Sequence, residues 1–298
     1  MSEGSPSHPR LRLAVAAMLF STGGAAIKAT TLTGWQVASY RSGVAALTFA
    51  LLVRGARRGW SWRAALVALA YAVTLCSFVI ANKLTTAANT IFLQSTAPLY
   101  LLLLGPWLLR EPLRREDLWF VAAMGLGLAL FFLGAEARAA TAPNPTLGNV
   151  IAGFSGATWA LTIVGLRWLG SRGSGTGGDE AAREDAGPSC ILIGNALACL
   201  FCLPMAAPSG FPVGRDLMII LFLGTLQIGL AYILVTSALR SVPALEASAL
   251  LLIEPAFNPI WAFLLHGERP SSFALAGGSL ILGATVVKTW RDAQRGVE

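Results

Sequence analysis

Charged residues are scarce in this chain. Asp, Glu, Lys and Arg make up only 12% of its 298 residues, about half the share found in an ordinary soluble domain. Histidine is scarcer still, with His8 near the N-terminus and His266 far from it. No GxxxxGK[ST], HExxH or GxSxG pattern occurs, so phosphate-cradling loops, zinc-protease helices and nucleophile elbows have no sequence support. No catalytic residues, no cofactor and no enzymatic activity are expected. The four cysteines, Cys76, Cys190, Cys199 and Cys202, all fall in apolar runs. Cys199 and Cys202 have zinc-like spacing, but no second pair completes a four-ligand set. Packing is their expected role, and no metal is expected.

Hydrophobic sequence fills the space that charge leaves: 55% of residues are hydrophobic and the mean hydropathy is +0.65. About 20 consecutive apolar residues span a bilayer as a helix, and this chain is a succession of such runs. The expected fold class is an all-α polytopic membrane protein, because a membrane β-barrel would show short alternating segments instead. Ten spans are expected, at 11–31, 35–53, 62–82, 85–109, 117–135, 147–169, 188–207, 216–238, 243–265 and 271–290. The first, preceded by Arg10 and Arg12, looks like a secretory signal. It stays apolar to about Ala29 and nine more runs follow, so it reads as an uncleaved helix. Loops are short except 170–187, "GSRGSGTGGDEAAREDAG", which is Gly/Ser-rich and charged and reads as a flexible tether.

The net charge of +7 points to orientation rather than to nucleic acid. With the N-terminus in the cytoplasm, only Lys28, Lys83, Arg138, Arg215 and Arg269 fall on the opposite side, and Arg41 lies inside the second span. All other Lys and Arg are cytoplasmic, as the positive-inside rule requires. Both termini are then cytoplasmic, and the bilayer is the partner.

The sequence also overlays on itself. Shifted by 157 residues, Lys83 falls on Arg240, Ala87 on Ala244, Pro98 on Pro255 and Glu111 on Glu268; a shift of 134 places Phe20 on Phe154. Spans one to five thus match spans six to ten, as repeats over 11–135 and 147–290, with 1–169 holding the first repeat plus span six. Five is odd, so the second repeat enters from the opposite face. Inverted-topology folds place substrate near the bilayer midplane, between the halves.

Within "LLLIEPAFNPIWAF" (250–263), Glu254 is an acidic residue near the centre of span nine. An ionisable group there costs about 2.5–3.5 kcal/mol on insertion scales and normally faces the bundle interior or water. It either pairs with a buried arginine such as Arg41, fixing helix packing, or serves substrate, gate or proton. Pro255 has no N–H for the carbonyl of Leu251, and Pro98 none for that of Gln94; both are candidate hinges. Asn258, one turn beyond Glu254, shares its face. Arg41 reads as structural. Glu246 sits near the cytoplasmic start of span nine, solvated or functional. Glu111 and Glu268 end their spans and are expected to fix the fold through loop backbone.

Aromatic placement adds to this. Tyr71, Tyr100, Tyr232 and Trp159 fall mid-span rather than at the interfaces, and each carries a polar atom that needs a partner or a cavity. They either pack the core or line a pocket for an apolar or aromatic solute, and Gln94 has the same two readings. Gly23, Gly24, Gly153 and Gly156 permit close helix approach.

Ten spans in two inverted halves, with proline in spans four and nine and a Glu ending each, resemble the drug/metabolite transporter superfamily and its EamA-type ten-helix exporters. "REPLRREDLWFVAAMGLGLALFFLG" and "GERPSSFALAGGSLILGATVV" are similar to that family's end-of-repeat pattern, with Arg110 where the second copy has Gly267. "GATWALTIVGLRWL" resembles the opening helix of a second repeat, with its Trp at Trp159. Within the branch, the sequence resembles the YddG-type exporters of aromatic and other amino acids. The resemblance implies export of amino acids or related small metabolites across a bacterial inner membrane by alternating access. Span one lacks the acidic residue of the small multidrug-resistance relatives, so their proton coupling does not carry over. The expected substrate-lining residues are Trp159, Tyr100, Gln94, Glu254, Asn258 and Tyr232. A monomer is expected, with a dimer as the alternative. The rivals are a nucleotide-sugar or phosphorylated-sugar exchanger, which needs several cations deep in the cavity, and a polytopic membrane enzyme, which needs a catalytic cluster.

Overall fold

The computed structural model describes residues 7–108, 115–133, 138–171, 179–238 and 241–295. Among these the only β feature is an isolated bridge between Ala139 and Ala142; the rest of the regular structure is helical. Eight helical stretches are long and apolar enough to cross a membrane: Pro9–Lys28, Trp62–Leu84, Ala87–Leu104, Pro145–Leu169, Gly187–Ser209, Gly214–Ala238, Glu246–His266 and Ser272–Asp292. A shorter apolar helix covers Leu118–Leu133. The expected second span is also helical, Gly34–Leu52, and holds Arg41.

Several of these crossings are broken. The first is α1 (Ser7–Ser21) followed by α2 (Gly23–Lys28). Then come α3 (Gly34–Leu52) and α4 (Trp62–Leu84), started by side-chain caps from Thr33 and Ser61 to backbone N–H groups, as hydroxyl N-caps do. The fourth crossing divides into α5 (Ala87–Gln94) and α6 (Ala97–Leu108), and α7 is Leu118–Leu133. The second half begins with α8 (Pro145–Ser171) and α9 (Asp179–Ala206). Next are α10 (Gly214–Leu221), a π-helical stretch Phe222–Leu230, and α11 (Ala231–Ala238). The stretch Glu246–His266 divides into α12 (Ala244–Leu251) and α13 (Ile253–His266), and α14 (Ser272–Arg295) is the last described helix.

The stretch read as a tether over 170–187 is partly regular. Residues 172–178 lie outside the described residues, but α9 starts at Asp179. "DEAARE" explains why: acidic residues suit a helix N-terminus, and Ala, Glu and Arg are strong helix formers.

Packing joins one half of the chain to the other. α4 lies along α8 and α9, α3 along α9, α7 along α14, and α1 along α11 and α13. The first apolar core gathers Ile91, Phe92 and Leu93 with Phe120, Met124, Phe131 and Ile281. There α7 and α14 meet almost backbone to backbone. A Cβ on Gly277 would stand 2.7 Å from the carbonyl of Gly127, the small-residue contact that membrane helices use. Large apolar side chains also face outward, among them Leu51, Leu126, Leu133, Leu200 and Leu265. In water such a surface would be a liability; against lipid it is the expected solvent-facing band.

Candidate functional site

The two prolines expected as hinges sit beside two helix breaks. Pro98 leaves the Gln94 carbonyl without an i+4 donor, and the helix stops at Gln94 and restarts at Ala97. Pro255 does the same to Leu251, and the helix stops at Leu251 and restarts at Ile253. In both cases the interruption begins at the carbonyl that proline frees. The neighbouring helix fits the first break closely. A Cβ on Gly156 would lie 3.0 Å from the Leu93 carbonyl and 3.1 Å from that of Gln94. Glycine at 156 therefore lets α8 approach the loosened backbone.

Around the break in α5 and α6, the Gln94 side-chain amide donates to Ser155 Oγ at 3.4 Å, and Tyr100 Oη lies 3.9 Å from where a Cβ on Gly153 would be. One turn past Ser155 on α8, Trp159 meets Tyr71 of α4, ring centroids 6.3 Å apart. Tyr71 in turn meets Tyr232 of α11 edge-on at 5.9 Å, and Tyr232 meets Phe20 of α1 at 5.0 Å. A chain of rings thus runs from α8 through α4 and α11 to α1. Trp159 and Tyr232 are half-buried, as are Gln94, Tyr100, Pro98 and Glu254. α8 brings Trp159, Tyr100 and Gln94 into one neighbourhood, and Tyr71 ties them to Tyr232.

Glu254 and Asn258 belong to another part of this region. Glu254 lies near enough to Tyr232 to act on it electrostatically, and no described residue gives it a hydrogen bond or ion pair. It does not pair with Arg41, which forms no salt bridge with any described carboxylate. That removes the reading of Glu254 as half of a packing ion pair. Asn258 is buried against α2. A Cβ on Gly24 would sit 2.7 Å from Asn258 Oδ1, and neither Asn258 Oδ1 nor Nδ2 has a hydrogen-bond partner among the described residues. The same helix face carries Trp261, whose Nε1 donates to Ser21 Oγ at 3.0 Å, and His266, which bonds the Ala25 carbonyl at 2.8 Å. The tight seam between α13 and the first crossing explains Gly23 and Gly24; Gln227 occupies the space over Gly23, its Nε2 2.7 Å from a Cβ there.

Arg41 was read as structural, and its surroundings separate it from the other cations. It is 2% exposed, its Nε has no hydrogen-bond partner among the described residues, and its one hydrogen bond with them is a long one, 3.4 Å from Nη2 to the Leu75 carbonyl. Tyr71, Tyr232, Cys76 and Cys202 are its electrostatic neighbours. The last two are free thiols with sulfurs 3.3 Å apart. Arg41 is the one cation that the sequence places deep within a span, and that is the signal that sets it apart.

Ion pairs close the ends. Glu268 is buried, 2.9 Å from Lys28 Nζ, and its Oε2 accepts the Ala87 N–H at 2.9 Å, so it fixes α5 and the first crossing as expected. Glu111 lies outside the described residues. Arg10 and Glu246 pair at the opposite end.

A solved structure described as "Crystal structure of protein" is similar to the chain with a TM-score of 0.60 and 20% sequence identity, covering 97% of this chain and 98% of that one. At that identity the likeness shows a shared fold only. No curated protein matches the sequence. The model of the EamA-like transporter family matches twice, over residues 11–133 and 146–290. Membrane-spanning helices, outward apolar surface and a match across nearly the whole length agree: this chain belongs to the EamA-like transporter family, membrane transporters of small substrates.

Proposed function

We propose that this protein exports amino acids or related small metabolites from the cytoplasm by alternating access, through ten spans arranged as two inverted five-helix repeats. The repeats cover 11–135 and 147–290, both termini lie in the cytoplasm, and the setting is a bacterial inner membrane. The protein works as a monomer. Two family matches in tandem support the repeat. Gly34–Leu52 and Leu118–Leu133, added to the eight longer crossings, support the count of ten.

The carrying observation is the matched pair of breaks. Pro98 and Pro255 overlay under the 157-residue shift, and each adjoins an interrupted helix next to the mid-span polar and aromatic residues. Irregular backbone at membrane depth is tolerated where it is buried in protein or lines a cavity, and paired discontinuous helices mark transporter substrate sites. Trp159, Tyr100 and Tyr232 would wall the substrate, Gln94 and Asn258 would supply hydrogen bonds, and Glu254 would face its ammonium. Flexing at Pro98 and Pro255 would open each side in turn. A sugar-phosphate exchanger would need several buried cations on this path, and among the described residues Arg41 is alone there.

The test is efflux of a labelled amino-acid panel from vesicles reconstituted with the purified protein, with and without a proton gradient. Saturable efflux of a panel member is expected. Glu254→Gln should slow it at least tenfold at unchanged protein level, since a charge-assisted contact contributes about 1.5–3 kcal/mol. Efflux equal to that of empty vesicles across the whole panel sinks the reading.

A further inference from the structure

Arg41 is a full positive charge in the interior of a membrane protein, and no described carboxylate answers it. The usual solutions are an acidic partner or a set of backbone carbonyls. Here one carbonyl stands at 3.4 Å and Nε is unpartnered. Its electrostatic neighbour Tyr71 has a buried Oη with no hydrogen-bond partner among the described residues. Two buried donors thus lie side by side with spare capacity, from α3 and α4. The rings of Trp159, Tyr71 and Tyr232 adjoin them. Glu254, also unpaired, acts on Tyr232 from α13. Tyr232 is thus within electrostatic reach of both Arg41 and Glu254.

We infer that Arg41 is the carboxylate-binding residue of the transport site, with Tyr71 as its second donor. A guanidinium has the planar fork that receives a carboxylate through two parallel N–H···O bonds. The ring chain fits a flat or apolar side group. The inference rests on the export reading and narrows its substrate class. It separates substrates that share a ring and differ in one charged group.

The experiment is counterflow of labelled phenylalanine in vesicles holding the full-length protein, competed by 3-phenylpropionate, which has no ammonium, and by phenethylamine, which has no carboxylate. The expected result is competition by phenylpropionate at least about tenfold better than by phenethylamine. Arg41→Gln should abolish that preference, and Arg41→Lys should keep part of it, since a point charge replaces the fork. Because Arg41→Gln removes a buried group, its folding is checked by melting temperature, and the wild-type competition series stands without it. Equal competition by the two analogues, or a folded Arg41→Gln protein that retains the preference, overturns the assignment and leaves the exporter reading intact. Wild-type vesicles that show no phenylalanine counterflow overturn this assignment, whereas the exporter reading falls only with failure of the whole amino-acid panel.

Discussion

The helical stretches Pro9–Lys28 and Glu246–His266 run side by side, and an ion pair joins them at each end: Lys28 with Glu268 at one, Arg10 with Glu246 at the other. The side chains of the first pair are 2% and 3% exposed, those of the second 54% and 35%. Lys28 also donates to the carbonyls of Thr85 and Thr141, at 2.7 and 2.5 Å, and Glu268 holds the first N–H of α5. The buried pair thus gathers four segments, whereas the exposed pair joins two. On the proposed topology the buried pair lies on the outer side. A buried pair is costly to form and more costly to break, because the surviving partner is stranded. An exposed one is screened and replaceable by water. The two fastenings of one helix pair therefore differ in the work needed to release them.

The largest effect that separates the two ends should come from Glu268→Ala. Leaving Lys28 buried and unpaired should lower the unfolding free energy by about 3–5 kcal/mol, read by denaturant titration in detergent micelles. Removing both partners with Lys28→Met and Glu268→Met should cost much less than the sum of the single changes. A single-mutant loss below about 1 kcal/mol would make the ends equivalent and end the comparison.

Between the ends, Gly24→Leu should cost about 1–3 kcal/mol by overpacking, because Asn258 Oδ1 and Ala87 Cβ stand 2.7 and 3.0 Å from the added carbon. The same titration checks it, and a neutral result would mean the seam is looser than its geometry. Trp261→Phe keeps an aromatic side chain but loses the five-membered half of the indole and with it the bond to Ser21. A loss of about 0.5–1.5 kcal/mol is expected, measured as the shift in midpoint at unchanged slope.

Arg10→Ala should come last, below about 1 kcal/mol. Raising salt should erase even that difference, since exposed charges are screened over about 10 Å at 0.1 M. A loss matching that of Glu268→Ala would invert the picture of a strong end and a weak end.

How much of this was legible in the sequence depends on the range of the cause. Pro98 and Pro255 act on a carbonyl four residues back, so both breaks could be placed from the sequence. The break at Thr22 in the first crossing has no proline behind it. It accompanies contacts of Ser21, Gly24 and Ala25 with α13, more than 200 residues away in sequence, which no local pattern reveals. The onset of α9 at Asp179 was hidden because the Gly/Ser composition of 170–178 obscured a short helix-forming segment. Glu254 was recognisable as an unusual charge from hydropathy alone. Its lack of any pairing with Arg41 was not, because the relative rotation of α3 and α13 decides it. Trp159 and Tyr232 could be named from position within their spans, but Tyr71, the ring between them, comes from α4 and joins them only in three dimensions.

The π-helical run Phe222–Leu230 has a mechanical implication. Its Gly224 rests against Val44 and the Arg41 backbone, where a Cβ would come within 2.5 Å of Val44, and the run hands directly on to α11 and Tyr232. Wide turns hold surplus residues relative to the ordinary 3.6 per turn, and each residue of register corresponds to roughly 100° of rotation. Shifting or expelling one wide turn would swing the Tyr232 ring about the helix axis while the hydrogen-bonded rod on either side stayed whole. The eighth crossing is thus a shaft with a slip joint, whose two lengths need not keep the same rotational phase.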